Sequence, residues 1–277
     1  MTTLKQVLNL KLTKKQLLVL PTSFDIIGDI VIFSNFPEEL KKKEKLIANT
    51  LLNLHKNIKV VAKKTKHFSG KYRLQKVKIL AGEKRKITLH KENNIIVKLN
   101  IETCYFSQRL ATERLRIAKQ IKPNESVLVM FSGIAIYPLV ISKNSKAKEI
   151  YAIEINPEAH KYAQENLKLN KTTNITLFKG NVKTVIPKIK KKFDRILMPL
   201  PKSAEDYFDL AIKKIKNKGI IHFYDFQYEE DIPKKSIEKI KKHTKNFKIL
   251  KVIKCGQYSP RNYRICLDIK LITGSSY

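Results

Sequence analysis

Arginine is the scarce basic residue of this chain. Of 57 basic residues only eight are arginine: Arg73, Arg85, Arg109, Arg114, Arg116, Arg195, Arg261 and Arg264. A lysine excess of that size can reflect nucleotide bias in a genome. The arginines then mark positions where a planar donor fork is needed and lysine would not serve. Acidic residues are also few, 24 in 277, and the formal net charge is +33. A charge of that sign and size points to a polyanionic partner, nucleic acid ahead of an anionic membrane. The three cysteines, Cys104, Cys255 and Cys266, make no CxxC pair, which excludes a disulfide framework and fits a reducing, cytoplasmic setting. Six histidines show no ligand spacing, so no metal site is expected. No run of 18 apolar residues occurs, which excludes a bilayer-spanning helix. Residues 1–20 mix lysine with leucine and lack the uninterrupted apolar core of a signal peptide.

What is present is an ordinary core-forming fraction, 43% hydrophobic residues, in a chain long enough for one large domain or two modest ones. Residues 1–20 read as a polar, helix-prone lead-in broken by Pro21-Thr22-Ser23. A small α+β domain, expected to bind RNA, follows over residues 21–104. It has an amphipathic helix from Pro37 and short lysine-rich strands at 58–62, 73–80, 86–90 and 95–99. The third region, residues 105–277, opens with a helix expected over 107–121, with Ser107 as its N-cap. Leu110, Ala111, Leu115, Ala118 and Ile121 form its apolar stripe, with Arg109, Glu113, Arg116 and Gln120 opposite. Strands and helices then alternate. Buried-type strands fall at 127–131, 150–155, 175–178, 195–198 and 220–226, and a terminal pair at 247–255 and 263–271. That alternation predicts an α/β, Rossmann-like domain with a mostly parallel sheet.

In such sheets ligands lie beyond the carboxyl ends of the strands. Three strand ends fall in the order of an S-adenosylmethionine-dependent methyltransferase. Phe131-Ser132-Gly133 is a small-residue turn in which Gly133 lets the backbone approach the cofactor. Glu154, followed by Ile155-Asn156-Pro157, ends the second strand, where a carboxylate can accept both ribose hydroxyls. Asn181 follows the third strand and can reach an adenine edge. After the fourth, Pro199-Leu200-Pro201 makes a stiff loop with few donors, suited to a wall beside a planar base.

These pieces, with Leu20 to Ile30, Tyr105 to Arg114, Ile221-His222-Phe223-Tyr224 and Tyr258 to Tyr263, resemble the archaeal and eukaryotic tRNA guanine-37 N1-methyltransferases. The resemblance implies a class I methyltransferase domain, S-adenosylmethionine as cofactor and the anticodon stem-loop of tRNA as partner, for a monomer. Glu113 matches the base that takes the proton from guanine N1, and Arg73 the arginine that binds O6. Tyr105, Arg109, Arg114, Pro199, Pro201 and Arg261 fall among the substrate contacts. Phe131, Gly133, Glu154, Ile155, Asn181 and Pro199 fall around the cofactor. The helix carrying Arg109 to Arg116 is expected to hold RNA phosphates. The family's elbow-gripping N-terminal domain is expected to be reduced to a stub. Four positions depart from the family pattern: Val129 for an aspartate, Ala135 for a glycine, Asn181 for an acidic residue, and Pro199 for the asparagine of an Asn-Leu-Pro loop. The last resembles the wyosine-linked archaeal subtype, which adds carbon 7 of 4-demethylwyosine as a second target. The rival readings are an RNA-binding protein with a decayed cofactor pocket, a methyltransferase for another RNA, and an aminocarboxypropyl transferase.

Overall fold

Two short helices, α1 (Leu4–Leu8) and α2 (Lys14–Leu18), lead the chain, each opened by a reciprocal cap between a threonine and the glutamine three residues on. The computed structural model describes residues 3–200 and 202–272 and divides into two units: Met1–Lys91 with Ile96–Gln108, and Glu92–Ile95 with Arg109–Tyr277. The sequence reading separates residues 1–20 as a lead-in. The structure does not, because Leu8, Leu12 and Leu20 are buried in one core with Val31, Phe33, Leu40, Ile47 and Leu51.

The first unit is built on a four-stranded sheet of β1 (Asp25–Ile27), β2 (Ile30–Phe33), β3 (Val60–Ser69) and β4 (Leu74–Gly82), in that order. Between β2 and β3 runs a 3-10 turn, Glu38–Lys43, and helix α3 (Glu44–Leu54). A two-stranded pair, β5 (Ile87–Glu92) and β6 (Ile95–Asn100), turns at Asn93 and Asn94, both at positive φ as a type I′ turn requires. Gly28, at φ +59, turns β1 into β2, and a Cβ there would come within 2.1 Å of the Thr88 hydroxyl and 2.3 Å of the Leu89 carbonyl. The neighbouring Asp29 takes Arg85 in a two-bond fork at 3.0 and 2.5 Å. The Gly28-Asp29 part of the family-like motif is therefore structural.

The second unit opens with α4 (Ala111–Gln120), preceded by a 3-10 turn at Gln108–Leu110, so the α-helix begins at Ala111 and Ser107 is not its N-cap. Then come β7 (Ser126–Met130), α5 (Ile136–Asn144), β8 (Glu149–Glu154), α6 (Pro157–Leu169), β9 (Ile175–Lys179), α7 (Val182–Val185), β10 (Phe193–Met198), α8 (Phe208–Lys214), β11 (Ile215–Tyr228), α9 (Lys234–Lys241), β12 (Phe247–Ser259) and β13 (Asn262–Leu271). The seven strands lie in the order β12-β13-β11-β10-β7-β8-β9, parallel from β11 to β9, with β13 antiparallel between β11 and β12. All five residues of β7 are buried, as a central parallel strand covered on both faces must be. From β7 the chain winds outward through β8 to β9, then returns to β10 on the other side of β7. That reversal makes the crevice above β7 and β10 the binding point for a ligand. Helix α5 has no counterpart in the sequence reading. Its run Ile136 to Ile141 is buried throughout and shows no amphipathic period.

Candidate active site

The turn after β7 alternates its backbone handedness. Phe131, Gly133 and Ala135 stand at φ +64, +57 and +65. The two non-glycine residues are held in a region that L side chains rarely adopt, a strain characteristic of functional turns. Ala135, where the family pattern has glycine, keeps the left-handed conformation and opens α5. The carboxylate ending β8 ties this turn down. Glu154 accepts from the Gly133 amide at 2.6 Å and from the Asn156 amide at 2.7 Å, and its carbonyl accepts from Gly180 at 2.8 Å. Burial pushes the Glu154 carboxyl up, against the pull of those backbone donors. The backbones of Gly133, Asn156 and Ile155 all act as donors to this carboxylate, whose two oxygens accept about four bonds, so a ribose hydroxyl would add to these contacts rather than replace them.

The Ser132 hydroxyl is buried in the same turn without a hydrogen-bond partner. An orphaned polar atom there is the mark of a site that a polar ligand completes. Phe131 meets Tyr207 edge to face at 5.1 Å, and the Lys183 ammonium lies 5.3 Å from the Tyr207 ring. Ile155 and Pro199 are half-buried just past the ends of β8 and β10, the strands on either side of β7. Asn181 caps α7, its side-chain oxygen accepting from the Lys183 amide at 2.9 Å. Its oxygen is therefore engaged in helix structure. Pro201 lies outside the described residues.

Glu113 is the third residue of α4, the helix end where a carboxylate is favoured by the backbone dipole. It is 5% exposed and surrounded by donors. Arg116 forks onto it at 2.6 and 2.8 Å, and the Tyr224 hydroxyl donates at 2.7 Å. Tyr137, from the first turn of α5, donates in turn to Tyr224 at 3.1 Å. A hydrogen-bonded chain thus runs from the helix behind the cofactor turn to the candidate base. Burial, reinforced by nearby negative charge, pushes both phenols up, so they act as donors and not as bases. The same burial raises the thiols of Cys255 and Cys266, which lie against Glu113 and so carry no nucleophilic thiolate.

Arg116 also grips Asp268 at 2.7 and 3.2 Å. His222, the residue opposite Asp268 in the β11–β13 ladder, bonds its carboxylate through Nδ1 at 2.6 Å. The other ring nitrogen of His222 faces Arg195 at 3.0 Å, and arginine can only donate. The proton therefore sits on Nδ1 and the ring is neutral, in agreement with the burial that lowers its pKa. Arg195 completes the chain on Glu125 at 2.9 Å. His222, Cys266 and Asp268 bring potential metal-ligand atoms within 4.8 Å of one another. The cation beside them is the Arg116 guanidinium, 3.4 Å from the Cys266 sulfur, and the raised thiol pKa keeps that sulfur protonated.

Two sequence expectations change. The polar side of α4 does not face solvent, since Arg116 and Gln120 both reach Asp268. Arg114 is 1% exposed and forks onto Glu92 at 2.6 and 2.5 Å, which is a buried ion pair and leaves no fork for a phosphate. Of Arg109, Arg114 and Arg116 only Arg109, in the 3-10 turn before α4, is exposed. The ion partner of Glu113 is Arg116, three residues on. Arg261 remains a surface residue, at φ +57 in the β12–β13 turn.

In the first unit Arg73 closes the turn between β3 and β4, its amide bonded to the Gly70 carbonyl at 3.0 Å and its φ at +52. Its guanidinium lies 4.6 Å from the Tyr105 ring centre, and Phe68 meets Tyr105 edge to face at 5.1 Å. Lys64 stands 5.1 Å from the Phe68 ring. Arg73 and Tyr105, predicted separately, therefore form one cation–aromatic cluster, of the kind that stacks on an unpaired base.

Strand order, the glycine turn and the acidic end of β8 define a class I, Rossmann-like methyltransferase domain that uses S-adenosylmethionine. The TRM5/TYW2 methyltransferase domain matches residues 88–253, and the TYW2 N-terminal domain matches residues 4–85. The chain belongs to the TRM5/TYW2 family. Residues 4–85 thus match an N-terminal domain of that family. Among curated relatives, the tRNA (guanine(37)-N(1))-methyltransferase Trm5b of Pyrococcus abyssi is 40% identical over 257 residues, 91% of this chain and 76% of the relative. The tRNA (guanine(37)-N(1))/4-demethylwyosine(37)-methyltransferase Taw22 of Nanoarchaeum equitans is 32% identical over 303 residues, 90% of this chain and all of the relative. A tRNA(Phe) (4-demethylwyosine(37)-C(7)) aminocarboxypropyltransferase of Methanocaldococcus jannaschii is 31% identical over 248 residues, 88% of this chain and 96% of the relative. The complex of aTrm5 with tRNALeu superposes with a TM-score of 0.84 at 30% identity, covering 98% of this chain and 78% of that one. TYW2 of M. jannaschii, solved with AdoMet, gives 0.69 at 27% identity, covering 90% and 99%. Among the described residues no helix is long and apolar enough to cross a membrane.

Proposed function

We propose that this chain transfers a methyl group from S-adenosylmethionine to N1 of guanosine 37 in tRNA, with Glu113 as the general base and Arg73 at the guanine O6. When bound, the cofactor supplies the methyl from a sulfonium and leaves as a neutral thioether. The residues around the β7 turn fit it. Gly133 offers a backbone without a Cβ, Glu154 an acceptor, and Ser132 a hydroxyl still in need of a partner. The guanine must leave its stack to reach such a crevice.

Guanine N1 holds its proton at neutral pH, so methylation requires an acceptor for that proton. Glu113 takes it on a carboxylate oxygen, oriented by Arg116 and Tyr224. Arg73 offers donors to O6, where negative charge develops as N1 loses its proton. Tyr105, beneath the Arg73 guanidinium, supports a nucleotide by stacking. Exposed Arg109 and the lysines of the first unit contact phosphates, which makes affinity fall with salt. The observation that carries this reading is the buried Glu113 carboxylate, clamped in place and joined by two tyrosines to the helix behind the cofactor turn.

A second target is favoured by Pro199. A proline at that place offers neither an amide side chain nor a backbone N–H, which suits carbon 7 of 4-demethylwyosine, a ring with less hydrogen bonding. Incubation with S-adenosylmethionine and tRNA, followed by nucleoside mass spectrometry, tests both. N1-methylguanosine at position 37 is expected, together with a methyl gain on tRNA carrying 4-demethylwyosine. A methyl on another nucleoside, or the mass of an aminocarboxypropyl group, overturns the first. A methyl on guanosine alone overturns the second.

A further inference from the structure

One arginine in the second unit serves two carboxylates. Arg116 gives Nε and one terminal nitrogen to Glu113, and both terminal nitrogens to Asp268. The two carboxylates are not equivalent. Asp268 collects donors from Arg116, His222 Nδ1 and Gln120 at 2.7, 2.6 and 3.1 Å, and the Cys266 thiol lies 3.5 Å away. Burial alone would raise its pKa. The His222 and Arg116 contacts outweigh burial and hold the carboxyl well below the usual carboxylate range. Asp268 is therefore a permanent anion.

We propose that Asp268, held by His222, is a positioning residue for the proton-transfer step, keeping Arg116 paired while Glu113 is neutralised. This rests on Glu113 being the base. Before transfer the three groups carry two negative charges and one positive. The N1 proton passes to a Glu113 oxygen, the electron pair of the N–H bond stays on the base to form the N1–methyl bond, and the cofactor's sulfonium charge is discharged. Glu113 is then neutral, and Arg116 is left with Asp268 alone. Without Asp268, the same proton transfer would strand a largely buried guanidinium, which is costly. It would also leave Arg116 paired with Glu113 only, opposing protonation of the base. His222, neutral because Arg195 occupies Nε2, adds a donor to Asp268 without adding a charge. Arg195 is itself balanced by Glu125. The spacing along the chain makes the arrangement invisible locally, since Arg116 and Asp268 are 152 residues apart.

The test is single-turnover methyl transfer by Asp268→Asn, Asp268→Glu, Glu113→Gln and the double variant Glu113→Gln/Asp268→Asn, with cofactor and tRNA affinities measured separately. Asp268→Asn is expected to lose on the order of 10- to 100-fold in the transfer rate, with both affinities within about twofold, and Asp268→Glu to recover most of the loss. Adding Asp268→Asn to Glu113→Gln is expected to cost nothing further, because Asp268 acts through the base. An unchanged rate in Asp268→Asn, or a full additional loss in the double variant, overturns the proposal. If Asp268→Asn does not fold, Arg116→Lys decides, since one ammonium cannot fork onto two carboxylates, and wild-type transfer by that variant overturns the proposal equally. Wild-type transfer by Glu113→Gln would instead remove the base assignment itself.

Discussion

Arg73 and Glu113 sit in surroundings of opposite design. Arg73 is half-buried on a strained turn, its charge laid over the Tyr105 ring with Phe68 beside it. Glu113, in the first turn of α4, is buried among Arg116, Tyr224 and two thiols, its orientation fixed from several sides. The first arrangement sets a cation against aromatic rings at the partly exposed turn of two strands. The second fixes one carboxylate and surrounds it with groups that stay protonated. The difference suits the two proposed tasks. A group proposed to donate to a base brought from outside needs reach, and a group proposed to accept one proton needs an exact position and a balanced charge around it.

Substitutions can break the comparison. The largest effect is expected from Arg114→Ala, whose guanidinium pairs with Glu92 and lies 6.0 Å from the Tyr137 ring centre. It removes the guanidinium from the nearly buried Glu92 carboxylate and should cost about 3–5 kcal/mol of stability, read by chemical denaturation, with transfer per folded molecule nearly intact. A large loss of activity with unchanged stability would return Arg114 to the substrate contacts. Arg73→Ala should lower the transfer rate about 10²-fold while the fold is unaffected, and Arg73→Lys should recover only part, because lysine keeps the charge and loses the planar fork. Equal activity of Arg73→Lys and the native enzyme would mean that charge alone is used there.

Glu154 sharpens the comparison from the cofactor side. Its carboxyl is raised by burial, so it takes up a proton before an ordinary carboxylate as pH falls. Cofactor affinity, followed by calorimetry, should therefore weaken on acidification from neutral pH. Glu154→Gln should bind about tenfold more weakly at neutral pH and show less of that pH dependence. The sign for folding is the reverse of the usual carboxylate. A raised value means that the ionised form costs the fold, so the contribution is favourable at low pH and lost as pH rises.

The elements that position the cofactor were legible because they are local. Gly133, Glu154 and the strand before each lie within a few residues of their signals, and the strand order follows from the alternation of strand and helix. What was not legible depends on contacts between distant segments. Arg116 reads as a surface phosphate contact until β13 supplies Asp268, and Arg114 does so until Glu92 arrives from the β5–β6 turn. His222 and Asp268 carry no spacing signal, yet they face each other across an antiparallel ladder. Helix α5 was missed because a helix buried on all sides loses its amphipathic period, and Ser132 because nothing in sequence marks a hydroxyl without a partner. Arg73 and Tyr105 could be joined only once the β3–β4 turn was seen to carry the arginine over the ring.

The most direct test of the proton-accepting role is single-turnover methyl transfer to tRNA with guanosine at position 37, for the native enzyme and for Glu113→Gln at saturating cofactor. Glu113→Gln should retain a residual rate on the order of 10²- to 10⁴-fold below the native one, because the amide cannot accept the N1 proton. Comparable rates in the two proteins would contradict the account.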